Sequence, residues 1–296
     1  MELSQHIPVL LDEVIEALNL SADDNVIDAT VGGGGHAQAI LEAISPNGKL
    51  IGIDLDQMAI ARASERLKKF RDRAILKQGN YTQIKQIAHE SGISAISAVL
   101  LDLGLSLDQL KDESRGFSFL SEGPLDMRFS DQESATAFDI VNSWPENELI
   151  RIFQEYGEER RAARAAKHIV TARSHAPIQT AKDLAQVALR GAGKRGRINP
   201  ATRIFQALRI AANNELENVS KALPEAISIL KKGGRLAVIS FHSIEDRIIK
   251  QCFRFLARED NPSIRLINKK VIKPSREEQL KNPASRSAKL RVIEKT

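Results

Sequence analysis

Three acids and a run of glycines carry the first chemistry in this chain. Val26 and Ile27 lead into Asp28, then through Ala29, Thr30 and Val31 into four consecutive glycines, Gly32 to Gly35, and His36. A strand that ends in a carboxylate and turns through glycines lets the backbone approach a ligand closely, in torsions other residues avoid. Eighteen residues beyond His36, Ile51-Gly52-Ile53-Asp54-Leu55-Asp56 brings a second acidic strand end. A carboxylate there is suited to the two ribose hydroxyls of a nucleoside. Asp102, in Leu100-Leu101-Asp102-Leu103-Gly104, ends a further strand beside the switch point where such sheets bind ligands.

The sign of the charge narrows the cofactor. A dinucleotide fingerprint spaces its glycines G-x-G-x-x-G and sets a pyrophosphate on the helix start. Here His36-Ala37-Gln38 follows the glycines, so the third glycine is missing. Asp28 beside the loop would repel a pyrophosphate and suits the cationic methionine moiety of S-adenosylmethionine. Leu230-Lys231-Lys232-Gly233-Gly234-Arg235 followed by Leu236 to Ser240 resembles the fifth-strand entry of S-adenosylmethionine methyltransferases.

Other groups bear on the acceptor. Arg115-Gly116-Phe117-Ser118-Phe119 and Pro124-Leu125-Asp126-Met127-Arg128 read as an irregular loop forming a lid or substrate wall, with Asp126 as a candidate catalytic carboxylate. Ser240-Phe241-His242-Ser243 ends a central strand; Ser243 is expected to cap the next helix with Asp246, leaving His242 as the best proton acceptor. Arg190, Lys194, Arg195, Arg197, Arg203 and Arg209 form a basic run without an intervening acid, and Lys281, Arg286, Lys289 and Arg291 repeat the theme. Such cations suit nucleic-acid phosphates. Cytosine C5 methylation needs a cysteine nucleophile. The single cysteine, Cys252, reads as mid-helix, which leaves an oxygen or an exocyclic nitrogen as acceptor.

These groups need a frame. Strands are expected at 25–29, 49–54, 74–78 and 98–103, with helices at 36–44, 57–70 and 81–91 after a short amphipathic helix within 7–20. That alternation implies parallel strands with right-handed crossovers, a doubly wound α/β sheet. From 104 to about 199 helical periodicity replaces it, at 137–142, 146–156, 158–173 and 180–190. Long helical stretches at 200–223 and 225–230, a strand at 235–240, a helix at 244–258 and extended segments at 264–272 and 289–292 complete the frame. The expected division is a methyltransferase domain at 1–110 and 206–296 with a helical substrate-recognition insertion at 111–205. Composition fits a soluble protein: 42% hydrophobic and 27% charged residues, without an apolar run of membrane-spanning length or a secretory signal. One cysteine excludes an internal disulfide, no metal site is expected, and the cytoplasm is the expected compartment. Net charge of +5 permits a polyanionic partner.

The chain closely resembles the bacterial small-subunit ribosomal RNA (cytosine-N(4))-methyltransferases. The resemblance rests on His6-Ile7-Pro8-Val9-Leu10-Leu11, the glycine segment 28–36, on 52–56 and on Asp102-Leu103-Gly104. It extends to 115–119, 124–128, Gly157-Glu158-Glu159-Arg160, Pro200-Ala201-Thr202-Arg203, Phe205 to Arg209, 240–243 and 285–291. It implies methylation of the 4-amino group of a cytidine in the decoding region of 16S ribosomal RNA, with S-adenosylmethionine as donor and the small ribosomal subunit as partner. It also implies cofactor contacts at Gly34, Gly35, His36, Asp54, Tyr81, Asp102 and Gln109. Leu107, Asn199 and Ala284 depart from the family pattern, and Tyr81 replaces a frequent Phe that stacks on adenine. The resemblance assigns no general base, so His242 and Asp126 stand on their own residues, as do Arg195, Arg197, Arg203, Arg209 and Arg286 as RNA contacts. The competing readings are a methyltransferase acting on another RNA, DNA or protein, and a non-catalytic RNA-binding assembly factor.

Overall fold

The computed structural model describes residues 7–131, 135–192 and 200–296. The chain divides into two compact units, Met1–Gly104 with Leu216–Thr296, and Leu105–Glu215; the expected insertion spanned 111–205.

The first unit is a mixed α/β sheet. It runs α1 (Leu11–Leu18), β1 (Asn25–Asp28), α2 (Gly35–Ala43), β2 (Leu50–Asp54), α3 (Gln57–Leu67), β3 (Ala74–Gln78), α4 (Ile84–Glu90) and β4 (Ile96–Asp102). In the second unit follow α5 (Leu107–Lys111), α6 (Ala137–Ser143), α7 (Glu146–Glu155), α8 (Ala162–Arg173), α9 (Ala181–Ala192) and α10 (Pro200–Asn213). The chain then returns through α11 (Glu215–Ile229), β5 (Leu230–Ser240), α12 (Ser243–Leu256), β6 (Ile264–Leu266), α13 (Arg276–Lys281) and β7 (Lys289–Lys295). Among the described residues the strand order is β3-β2-β1-β4-β5-β7-β6. The first five strands are parallel, and β7 runs antiparallel between β5 and β6.

Alternate residues of each strand face opposite sides. Ile27, Ile51, Ile53, Val99, Leu101 and Val238 pack on one face with Ile84 of α4, Leu223 of α11 and Phe253 of α12. Val26, Leu50, Ala98, Leu100 and Ile239 pack on the other with Val14 of α1, Ile40 of α2 and Leu67 of α3. Burial on both faces explains why these strands read as continuous apolar runs. The chain leaves β1 toward β2 on one side and reaches β4 on the other. The carboxyl ends of β1 and β4 therefore flank the switch point.

Two of the boundaries that differ from expectation have a clear local cause. A single helix over 200–223 is instead two, broken at Asn214 in the left-handed region (φ 50°), while Pro224 sits inside α11. Asparagine tolerates that conformation. Proline removes only one helical N–H, and buried Leu223 and Ala226 hold the turn around it. The strand entry at Gly233-Gly234 is a bulge: Leu230 pairs with Ile96 and Arg235 with Ala98, so the residues between loop out of the ladder.

In the second unit, Ile140, Leu149, Phe153, Ile169, Leu184 and Leu208 form the core, with alanines such as Ala165, Ala166 and Ala188 letting helices approach. The irregular loop folds onto this core. Gly116 (φ 67°) lies so close to the Pro124 carbonyl that a Cβ would meet its oxygen at 2.0 Å. Phe117 and Phe129 rings stack 5.6 Å apart. Buried Asn213 pins the loop: its side chain accepts from the Phe129 N–H (2.7 Å) and donates to the Met127 carbonyl (2.7 Å) and the Arg209 carbonyl (2.9 Å). Asn213→Ala leaves these buried groups unsatisfied. It is expected to cost about 3 kcal/mol, read as a lower unfolding transition in scanning calorimetry. An unchanged transition would mean that water replaces the bonds.

No helix among the described residues is long and apolar enough to cross a membrane.

Candidate functional site

The carboxyl ends of β1, β2 and β4 bring Asp28, Asp54 and Asp102 to one end of the sheet. Gly34 N–H donates to the Val31 carbonyl (2.8 Å), closing a tight turn. Gly34 then enters α2 with φ 80°, a conformation that glycine adopts at no steric cost. Asp54 ties β2 to this turn: its Oδ2 accepts from Gly32 N–H (2.9 Å) and its Oδ1 from Asp56 N–H (2.9 Å). Each carboxylate oxygen keeps a lone pair beyond its backbone bond, enough for one hydroxyl each. Asp56 caps α3, accepting from Met58 N–H (2.9 Å). The Tyr81 turn follows β3, with Asn80 capping it and Gly79 N–H bonded to the Asp54 carbonyl (2.9 Å).

The three acids share an unfavourable field. Burial pushes the Asp28 carboxyl up to about 7, with the nearby Asp54 charge adding to it. Burial likewise pushes Asp54 up to about 6, and Asp56 adds to it. Asp102 is held well above the ordinary carboxylate range by burial, then by the charges of Asp28 and Glu245. Its N–H donates to Thr30 Oγ1 (2.6 Å), but its buried Oδ1 has no hydrogen-bond partner. Clustered buried acids with an unsatisfied oxygen are stabilised by a cation. That chemistry fits S-adenosylmethionine, whose methionine part carries positive charge, with the Asp54 lone pairs available for ribose hydroxyls.

His36 belongs to the frame as well as to the site. Its Nε2 lies 3.0 Å from the Val9 carbonyl, which only accepts, so Nε2 carries the hydrogen. Nδ1 then faces Asp102 Oδ2 at 3.7 Å. The segment around Val9 is a strap held from both ends of the sequence. Leu10 N–H donates to Glu278 Oε1 (2.8 Å), and Asn282 Nδ2 donates to the Ile7 carbonyl (3.0 Å). Pro8 presses on Gly35, where a Cβ would come within 2.4 Å of its ring. Sequence reading missed Glu278 and Asn282, because residues almost a chain length apart carry no local pattern.

Each candidate base has a partner in its own unit. His242, not Ser243, caps α12: His242 Nδ1 accepts from Glu245 N–H (3.3 Å). Glu245 completes the box, Oε2 accepting from His242 N–H (3.3 Å) and also from Phe241 N–H (2.9 Å), in the place expected for Asp246. With Nδ1 accepting, His242 Nε2 carries the hydrogen; it lies 3.1 Å from Glu245 Oε1 yet is buried without a hydrogen-bond partner. The x-x-Glu spacing after His242 was the available signal. Asp126, in the second unit, is gripped by Arg128 through Nε (2.8 Å) and Nη2 (2.9 Å).

The expected basic surface is partly internal. Arg209 forms a two-pronged pair with Glu215 (2.8 and 2.9 Å), with side chains only 15% and 6% exposed. It is a structural ion pair in place of an open phosphate contact. Arg203 lies 3.7 Å from Glu159. Arg291 bonds Asp246 (2.7 Å), which also draws Lys289 to 3.8 Å. Arg286 is exposed. Arg195 and Arg197 lie outside the described residues. Gln109 belongs to the second unit, where its side-chain carbonyl accepts from Ser106 N–H (3.1 Å) in the cap of α5.

A glycine turn beside buried Asp28 and half-buried Asp54 and Asp102 suits S-adenosylmethionine, and comparison with known proteins names the family. The family model of the MraW methylase family matches residues 3–296. The chain belongs to this family. It is 47% identical to the ribosomal RNA small subunit methyltransferase H of Coprothermobacter proteolyticus, over 98% of this chain and 96% of that one. The protein of that name from a Geobacter species is 46% identical, with both chains fully covered. A solved rRNA methylase from Streptococcus thermophilus aligns over 96% of this chain and 93% of its own, at 13% identity and a TM-score of 0.44. Membership makes the chain an S-adenosylmethionine-dependent methyltransferase on a doubly wound sheet.

Proposed function

We propose that this chain methylates the 4-amino group of a cytidine in the decoding region of 16S ribosomal RNA, presented by the small ribosomal subunit in the cytoplasm. The observation that carries this reading is the cluster of Asp28, Asp54 and Asp102 on the glycine turn of a chain from this family. S-adenosylmethionine, when bound, supplies an electrophilic methyl group on a cationic sulfur. Asp54 holds the ribose hydroxyls, Tyr81 offers its ring to the adenine, and Gly34 and Gly35 admit the ligand close to the backbone. Asp28 and Asp102 supply the negative field that favours the cationic end.

Kinship supplies the 4-amino group as acceptor; the cysteine argues only against carbon 5. Cys252 lies inside α12, half-buried, and burial pushes its thiol upward, away from the thiolate that C5 attack requires. An exocyclic nitrogen needs positioning in line with the methyl group, which supplies about 7–11 kcal/mol. Its proton leaves after transfer. With His242 and Asp126 engaged in the frame, no dedicated base is assigned. Arg195, Arg197, Arg203 and Arg286 remain the proposed phosphate contacts.

The test incubates the protein with S-adenosylmethionine and small subunits lacking the modification, then analyses digested nucleosides by mass spectrometry. N(4)-methylated cytidine is the expected product. If the cofactor binds and no methylated nucleoside forms, the substrate is wrong, and DNA and protein acceptors come next.

A further inference from the structure

The positive charge of this chain is concentrated in one stretch. Residues 243–296 hold 14 of the 43 Lys and Arg but only 7 of the 38 Asp and Glu, a net +7; the preceding 242 residues therefore carry −2. The net excess of positive charge, which favours a polyanion, lies in the segment from α12 onward.

Part of this charge lines a cleft in the first unit. Phe253, Leu266 and Val292 form its apolar floor, and Lys250, Arg254 and Lys269 project around it. Lys250 and Arg254 are one helical turn apart on α12, so their side chains share a face. The opposing turn is rigid. Asn268 donates through Nδ2 to the Leu290 carbonyl (3.0 Å) and the Lys270 carbonyl (2.9 Å), and its Oδ1 accepts from Val292 N–H (2.7 Å). Arg291, also on the lining, is neutralised by Asp246. Lys250, Arg254 and Lys269 have no acid within ion-pair distance among the described residues. Beside Arg254 on the same helix, Phe255 is 71% exposed, flanked one turn on by Arg258. An exposed ring among unpaired cations is the combination that holds single-stranded nucleic acid, phosphates to the cations and a base to the ring.

We propose that the α12–β6 cleft is a docking site for the backbone of single-stranded RNA, with Lys250, Arg254 and Lys269 at phosphates and Phe255 stacked on a base. This rests on RNA being the substrate. The cleft would anchor the substrate through contacts separate from those at the cofactor end of the sheet.

The test uses the full chain and a fluorescein-labelled oligouridylate, with affinity followed by anisotropy across a salt series. Combined Lys250→Ala, Arg254→Ala and Lys269→Ala is expected to weaken binding at least about tenfold and make the salt slope shallower by about 2, at about 0.7 per phosphate. Phe255→Ala is expected to weaken binding about tenfold with the slope retained. S-adenosylmethionine affinity should stay unchanged in both, showing that the sheet is intact. Lys269→Glu, confined to an exposed turn, repeats the test if the triple variant does not fold. On ribosomal substrate the triple variant should raise KM and keep kcat. Wild-type affinity and slope in the variants would overturn the proposal, as would equal competition by a polyglutamate peptide of the same length. A wild-type protein that methylates no ribosomal RNA would instead remove the reading beneath it. Methylation with unchanged KM in the triple variant removes the cleft alone.

Discussion

Asp54→Ala is expected to weaken S-adenosylmethionine binding by at least about a hundredfold, about 3 kcal/mol, on the basis of two hydroxyl bonds to one charged group. The geometry gives a second reason. The same carboxylate accepts from Gly32 N–H and Asp56 N–H, so its removal leaves both donors without a partner and frees the glycine turn. Asp54→Asn separates the two effects only in part. An amide has one accepting oxygen, and its NH2 would face a backbone N–H on the other side. The asparagine variant should therefore bind nearly as poorly as alanine, although it keeps the shape. Titration calorimetry checks both, with thermal unfolding of the cofactor-free proteins as a control for folding. Unchanged affinity in the alanine variant would remove Asp54 from the ribose.

The second large effect is pH dependence. In the folded, cofactor-free protein Asp28 sits near 7 and Asp54 near 6, each raised first by burial. The unfolded chain releases these protons near the ordinary value of 3.8. Between about pH 4 and 7 the folded state therefore binds more protons than the unfolded state, and stability falls as pH rises. Below that window both states are protonated and nothing is lost; above it both are ionised and the full penalty, a few kcal/mol, is present. A cationic ligand reverses the preference, because it favours the ionised acids. The affinity of S-adenosylmethionine should therefore climb with pH as Asp54 and then Asp28 ionise, from about 6 through 7 and beyond, with protons released on binding. Calorimetry in buffers of different ionisation enthalpy reads the released protons directly. A flat affinity with no proton release would mean that the acids titrate normally and that the site is wetter than its burial indicates.

Much of this site was legible because its parts are local. The glycine turn, Asp28, Asp54 and Asp102 each stand at the end of a short apolar strand, so period and punctuation place them without any tertiary information. β3 was read at 74–78 and lies at Ala74–Gln78. β1, β2 and β4 are buried on both faces, which makes them conspicuous. The rest depends on which face of a helix is covered. Arg209 looked like one more cation in a basic run, yet the turn at Asn214 folds Glu215 back against it. Ser243 looked like a cap because serine usually is one, but the α12 entry presents His242 to the helix N–H groups instead. A helix expected from 158 starts at Ala162, since Glu158 adopts a positive φ. β7 pairs with both β5 and β6 from the far end of the sequence, where no short-range pattern announces its direction.

The strap over the glycine turn bears on the order of synthesis. Strands β1 to β4, the turn and all three acids precede residue 105, so the early part of a growing chain holds most of the cofactor cradle. The groups that fasten Ile7 and Leu10 over it, Asn282 and Glu278, are made only after β5 and β6. So is β7, whose partners β5 and β6 wait on either side of an empty lane. A chain still being translated thus carries a cradle without its fastening. The fully strapped turn is reserved for chains in which translation has passed Asn282.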